Sequence, residues 1–180
     1  MNSSIKENHS ENFHIALLSA YAIGLHSIEA LIPTPIPWLR VGLSNIITLT
    51  TLLLYGLKAG MTVTLIRVFV GSFLGGTFLG PAFLLSLGGG VSSTFVMWFV
   101  RVLSKRLLSP IGLSLLGALT HNLVQLFLAY LFFVRRLEAI IIISPIIILI
   151  GIITGAFNGI VTGLILREVQ EKRIKGSEHL

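Results

Sequence analysis

The chain has 180 residues, 54% of them hydrophobic and 11% charged, with a formal net charge of +6 and a mean hydropathy of +0.93, a balance far outside the range of soluble globular domains. It contains no cysteine and no aspartate, which excludes disulfides, thiolate chemistry and cysteine-ligated metal centres. It also lacks a Gly-x-x-x-x-Gly-Lys-Ser/Thr phosphate loop, so energy for any active transport has to come from a partner or an ion gradient.

These properties predict an all-α integral membrane protein with six transmembrane helices in one bundle. Stretches of about 20 apolar residues are long enough to cross a hydrocarbon layer roughly 30 Å thick as helices. In chain order the expected spans are 13–32, 41–57, 60–80, 82–100, 109–134 and 139–166. They form a transmembrane domain over 13–167, between a polar N-terminal tail (1–12) and a charged C-terminal tail (168–180). The first span is long and no small-x-small cleavage site follows it, so a cleaved signal peptide is not expected.

Span 1 carries Ala16, Ala20 and Gly24 four residues apart, which places them on one helix face. Such a face either packs inside the bundle or forms an external docking groove for a partner helix. His26 and Glu29 follow near the outer end of the span. The connection I-P-T-P-I-P-W-L-R (32–40) has prolines at alternate positions, so it is read as a stiff extended connector with Trp38 at the outer interface.

Span 2 opens with R-V-G-L-S-N-I-I-T (40–48), in which Arg40, Ser44 and Thr48 share a face and Asn45 adjoins it. Spans 3 and 4 are separated by G-G-T-F-L-G-P (75–81), whose glycines and proline provide a reversal. A single helix through 60–100 would be about twice as long as the bilayer is thick. Arg67, with Gly71 and Gly75 on its face, lies about 10 Å into span 3 at 1.5 Å per residue. The one glutamate inside a span, Glu29, falls roughly 15 Å away along the normal by the same arithmetic. Carbonyls, amides such as Asn158, water or an anionic or carbonyl-bearing ligand are the partners open to Arg67.

Span 5 contains A-L-T-H-N-L-V-Q (118–125), with His121 near mid-membrane, Gln125 one turn on and Asn122 beside them. Interhelical hydrogen bonding, ligand contact and metal binding are the alternatives, the last disfavoured because no second histidine stands at ligand spacing. Span 6 repeats Gly151, Gly155, Gly159 and Gly163, beside Thr154, Asn158 and Thr162 at the same period, a face suited to close helix packing.

Six spans place both termini on one side. Lys6, Lys58, Arg101, Lys105, Arg106, Arg167, Lys172, Arg173 and Lys175 fall on that side, against Arg40, Arg135 and Arg136 on the other. Both termini are therefore expected in the cytoplasm. The basic residues flank membrane segments, which argues against a nucleic-acid partner and for contact with membrane lipid. The polar set His26, Glu29, Arg40, Asn45, Arg67, His121, Asn122, Gln125 and Asn158 is the candidate ligand-binding group, and spans 1, 2 and 5 with the 1–2 loop are expected to line a cavity open to the outside. No catalytic residue, metal site or cofactor is expected.

The runs E-A-L-I-P-T-P-I-P, L-R-V-G-L-S-N-I-I-T-L, L-I-R-V-F-V-G-S (65–72), S-L-G-G-G (86–90) and A-L-T-H-N-L-V-Q resemble the Gx transporter family, also labelled heptaprenyl diphosphate synthase component I. That family is similar to the substrate-binding S components of energy-coupling factor transporters, which are six-helix proteins of the bacterial cytoplasmic membrane. The resemblance implies an S-component-like fold and a pocket toward the outer face. It also implies docking of Ala16 and Ala20 on a transmembrane coupling subunit that works with an ATPase. It suggests a quinone, isoprenoid diphosphate or flavin-related ligand. The alternative it leaves is a non-catalytic accessory subunit in polyprenyl or quinone biosynthesis, or in quinone- and flavin-linked electron transfer.

Overall fold

The computed structural model describes residues 2–31, 42–105 and 107–178. The described residues form helices and short turns, with no strand. The helices are α1 (Asn2–Leu31), α2 (Asn45–Tyr55), α3 (Leu57–Leu74), α4 (Pro81–Leu103), α5 (Pro110–Ala129) and α6 (Leu137–Glu178), with a π-helical turn (Tyr130–Val134) closing α5. By length and composition four segments can cross a membrane: Leu57–Leu74, Pro81–Leu103, Pro110–Val134 and Leu137–Lys172. The chain is thus a helical membrane protein.

Two predicted segments differ in extent. Span 2 begins at Asn45, not at residue 41, and α2 is only 11 residues long, or about 16 Å, roughly half a hydrocarbon layer. Residues 32–41, with Arg40, Trp38 and the three prolines, lie outside the described residues. The expected tails contribute helix at both ends, since α1 starts at Asn2 and α6 runs to Glu178.

The turns follow local chemistry. Gly56 alone separates α2 from α3; at φ +86° it takes the left-handed conformation that a one-residue reversal demands. The two helices then run antiparallel, bringing Thr48 beside Thr64 and Ser44 beside Arg67. The predicted reversal at 75–81 lies between α3 and α4, with Gly76 and Leu79 at positive φ and Pro81 opening α4. Phe69, Phe78 and Phe83 pack their rings together behind it, at centroid spacings of 5.1–6.1 Å. Within α6, Pro145 cannot donate to the Ile141 carbonyl, and Ser144 Oγ supplies that bond at 3.0 Å.

The packing order is α1 on α3, α3 on α4, α4 on α5 and α5 on α6, with α2 touching α3, α6, α1 and α4. The short helix is therefore enclosed: Leu49 and Leu52 join Met97 of α4 and Leu113 of α5 in a buried apolar cluster. The glycine stripe of α6 faces α5. A Cβ on Gly159 would sit 2.5 Å from Ile111 Cα, whereas one on Gly163 would meet nothing within 4 Å. Gly159→Ala should therefore lower stability by about 1–3 kcal/mol through backbone overlap, and Gly163→Ala should leave it unchanged. Thermal unfolding of both variants in one detergent checks this, and equal melting temperatures would refute the assigned α5–α6 contact.

Candidate functional site

The site is built around the beginning of α2. Gly42, at φ +79°, turns the chain into the helix, and the Asn45 and Ile46 amides bond to the Gly42 and Leu43 carbonyls at 3.0 Å. Arg67 lies ten residues into α3, about 15 Å at the helical rise. The start of α2 is level with it and so lies near the middle of the membrane. Backbone there has no water to bond to and must be satisfied by protein.

Other helices satisfy it with side chains. Glu29 of α1 accepts a short hydrogen bond from the Leu43 amide. Asn158 of α6 donates to the Gly42 carbonyl at 2.8 Å, and Thr162 donates to the Ile46 carbonyl at 3.4 Å. Ser44 does not cap its own helix. Instead its hydroxyl donates to Glu29 Oε2 at 3.2 Å and accepts a short bond from Arg67 Nη1. Arg67 Nη2 donates to Asn45 Oδ1 at 2.6 Å. Beneath this layer, Thr64 bonds to both Thr48 and Thr94, and Thr94 returns a bond to the Gly90 carbonyl.

Glu29 and Arg67, 4% and 3% exposed, are thus joined through Ser44, although the depth arithmetic separates them by roughly 15 Å. The reason lies in two details of the fold. Starting α3 at Leu57 rather than at residue 60 sinks Arg67 by about 4.5 Å, and the first turn of α2 fills the remaining gap with a hydroxyl and an amide.

The imidazoles rest on glycines. His26 lies against Gly71, in the space a Cβ would fill, and His121 Nδ1 is 2.9 Å from the Cβ position of Gly89. His26, Glu29, Ser44, Asn45, Arg67, Ser86 and His121 line one small cavity of about 10 Å³, room for about one water. No three histidine, cysteine, aspartate or glutamate side chains among the described residues lie close enough to hold a metal ion.

The other expected residues take separate places. Asn122 packs on Gly151 and donates to the Ile147 carbonyl at 3.0 Å, bracing α5 against α6. Gln125 is 4% exposed, does not line this cavity, and its Nε2 has no hydrogen-bond partner among the described residues. Asn158 lines an adjoining cavity with Asn45 and Ser114, and its Oδ1 likewise has no partner there. Ser86 and the Leu43 amide were missed by sequence reasoning. Ser86 stood at the head of S-L-G-G-G, but a serine in an apolar run carries no depth or direction by itself.

Ala16, Ala20 and Gly24 are exposed on α1, while Ser19, Ala22, His26 and Glu29 form its buried face. The small-residue stripe therefore points away from the bundle. Two larger clefts, about 370 and 430 Å³, lie around Pro110, Leu166 and Gln170, the first bordered by Leu53 and Leu54 near the end of α2 and the second lying between α5 and α6. They contain few converging polar groups. Arg101 there donates to the Leu52 and Leu53 carbonyls that end α2.

A family model described as heptaprenyl diphosphate synthase component I matches residues 18–165, which include every described residue of the cavity. No curated protein and no solved structure gives a significant match.

Removing one charge of the Glu29–Ser44–Arg67 link strands the other in a buried place, which costs about 3–5 kcal/mol. Arg67→Met alone should therefore destabilise strongly, while Glu29→Gln with Arg67→Met should recover most of the loss. A double-mutant cycle by thermal unfolding measures the coupling, and strictly additive effects would contradict the link.

Proposed function

The chain belongs to the heptaprenyl diphosphate synthase component I family, also called the Gx transporter family, and from that premise we propose that it is a non-catalytic membrane protein that binds a small organic ligand and carries it across with a separate energising module. The observation that carries this reading is the start of α2, a helix N-terminus at mid-membrane held by Glu29 and Asn158 and flanked by Arg67. Broken helices at that depth are the way membrane transporters present backbone dipoles and donors to a substrate. A protein that only braced its helices has no need of a helix N-terminus among polar side chains at that depth.

In this reading the bundle has six helices, with α1 and the α2 segment as its first two passes, and both termini are cytoplasmic in accord with the basic residues. The cavity has room for about one water, so in this reading it has to open before an organic ligand enters. Arg67, His121 and Asn45 suit carbonyl or phosphate oxygens, compatible with a quinone, an isoprenoid diphosphate or a flavin-related molecule. The outward stripe of Ala16, Ala20 and Gly24 offers close approach to a coupling subunit, which in turn would work with an ATPase.

The family's name implies a partner component, which favours a second reading, an accessory membrane subunit that handles polyprenyl or quinone intermediates for another protein. Under either reading the prenyl transfer itself is carried out elsewhere. Ionising an allylic diphosphate uses Mg²⁺ held on clustered carboxylates, and this chain has no aspartate.

Copurification in mild detergent followed by mass spectrometry separates the two. Transport predicts recovery of an ATPase and a membrane coupling subunit, lost when Ala16 and Ala20 are both changed to Leu. Recovery of a prenyl synthase or redox protein instead, insensitive to those substitutions, would replace transport by the accessory role.

A further inference from the structure

The cleft of about 430 Å³ between the start of α5 and α6 lies at the end of the bundle where Arg101 and Arg167 stand. Its wall changes character along α6. Gly159, Ile160, Gly163 and Leu164 make an apolar stretch, and Arg167 and Gln170 continue it toward the helix end, with Ser109 of α5 on the other side. From Gly159 to Gln170 the helix rises about 16 Å, close to half of a hydrocarbon layer roughly 30 Å thick. Ile111, Ile160 and Leu164 are exposed, so the cleft opens sideways toward lipid. A Cβ on Gly163 would meet nothing within 4 Å among the described residues, although Gly159, one turn earlier, touches the backbone of α5. The charge in the cleft has one sign. Arg167 lines it, Arg101 lines the adjoining cleft, and neither Glu168 nor Glu171 lines either one. Glu168 is paired with Lys172 at 2.8 Å, whereas Arg167 is exposed and has no ion pair among the described residues.

We propose that this cleft binds one anionic phospholipid, with an acyl chain along Gly163 and Leu164 and the phosphodiester on Arg167, Ser109 and Gln170. An apolar wall that ends in a cation and hydrogen-bonding groups at the membrane edge repeats the order of chain and headgroup in a phospholipid. Ser109 Oγ accepts from the Gly112 amide at 3.2 Å and so keeps its own proton to donate. The Arg167 guanidinium can bond two phosphate oxygens at once. A single arginine balances the single charge of a phosphodiester, which favours a phospholipid over a more highly charged diphosphate ester. Bound there, the lipid extends the contact between α5 and α6 by one turn beyond Gly159. The site is separate from the cluster at the start of α2 and does not depend on the role given to that cluster.

The test is native mass spectrometry of the full chain in mild detergent, titrated with phosphatidylglycerol and, separately, with phosphatidylcholine. One phosphatidylglycerol per chain is expected, bound about fivefold more tightly than phosphatidylcholine, the preference that one basic residue confers. Arg167→Gln, at an exposed position, should remove that preference. Gly163→Leu, whose side chain enters the open cleft, should weaken both lipids. Lys58→Gln changes an exposed basic residue outside the cleft and should leave both affinities as they are. Equal affinity for the two lipids overturns the proposal, as does a preference that survives Arg167→Gln or falls as much with Lys58→Gln. Two other occupants are read by the same measurement. Farnesyl diphosphate that binds more tightly than phosphatidylglycerol and displaces it, in an Arg167-dependent way, assigns the cleft to an isoprenoid diphosphate. A dimer that Gly163→Leu dissolves assigns it to a second copy of the chain. Either result overturns the lipid site.

Discussion

Hydrocarbon offers no hydrogen bonds, and the structure of this protein depends on how the start of one short helix, level with Arg67 of α3, meets that constraint. The entry to α2 leaves the Leu43 amide without an intrahelical partner and the Gly42 carbonyl with room for a second donor beside the Asn45 amide. The amide is taken by Glu29 of α1 and the carbonyl by Asn158 of α6. Each of these side chains brings a helix with it. Burying Glu29 then calls for a compensating charge, and Arg67 of α3 supplies one through Ser44. One defect in a short helix therefore positions three of its neighbours.

Glycine is the complement of this arrangement. Polar side chains at the bundle axis need room that apolar neighbours would fill, and His26, His121 and Asn122 each lie where a glycine of the facing helix lacks a side chain. The glycines of α3, α4 and α6 therefore do two things. Some, such as Gly159, allow backbones to touch, in the manner of small-residue contacts throughout membrane proteins. Others, such as Gly71 and Gly89, hold an imidazole in place beside the cavity. Only the first use is visible as a four-residue period.

Much of this was legible in the chain of letters. Hydropathy located the four long helices, and the glycines and proline of 75–81 marked the reversal between α3 and α4. Charge in the membrane singled out Arg67, and His26, Glu29, Asn45 and His121 proved to surround the same cavity. Depth arithmetic failed for the link between Glu29 and Arg67 because it counts rise along straight axes from estimated ends. A side chain of arginine length, a three-residue error in a helix start and an intervening serine together span what such counting treats as a gap. Asn122, next to His121 in sequence, separates from it because residues one apart on a helix point about 100° apart, and Gln125, one turn on, lies about 6 Å further along the axis of α5.

By itself the sequence determined the solvent and the limits of chemistry. Its apolar runs require a membrane, and its lack of aspartate and cysteine excludes the commoner ways of activating a diphosphate or holding a metal. Those conclusions need only composition, because transfer free energies and ligand requirements belong to residue types. What the tertiary structure alone decided is where α2 begins, and hence which amide Glu29 caps and which groups Arg67 meets. That choice depends on side chains from three other helices closing on one turn, and their distances from it are set by packing, which no single segment of the chain contains.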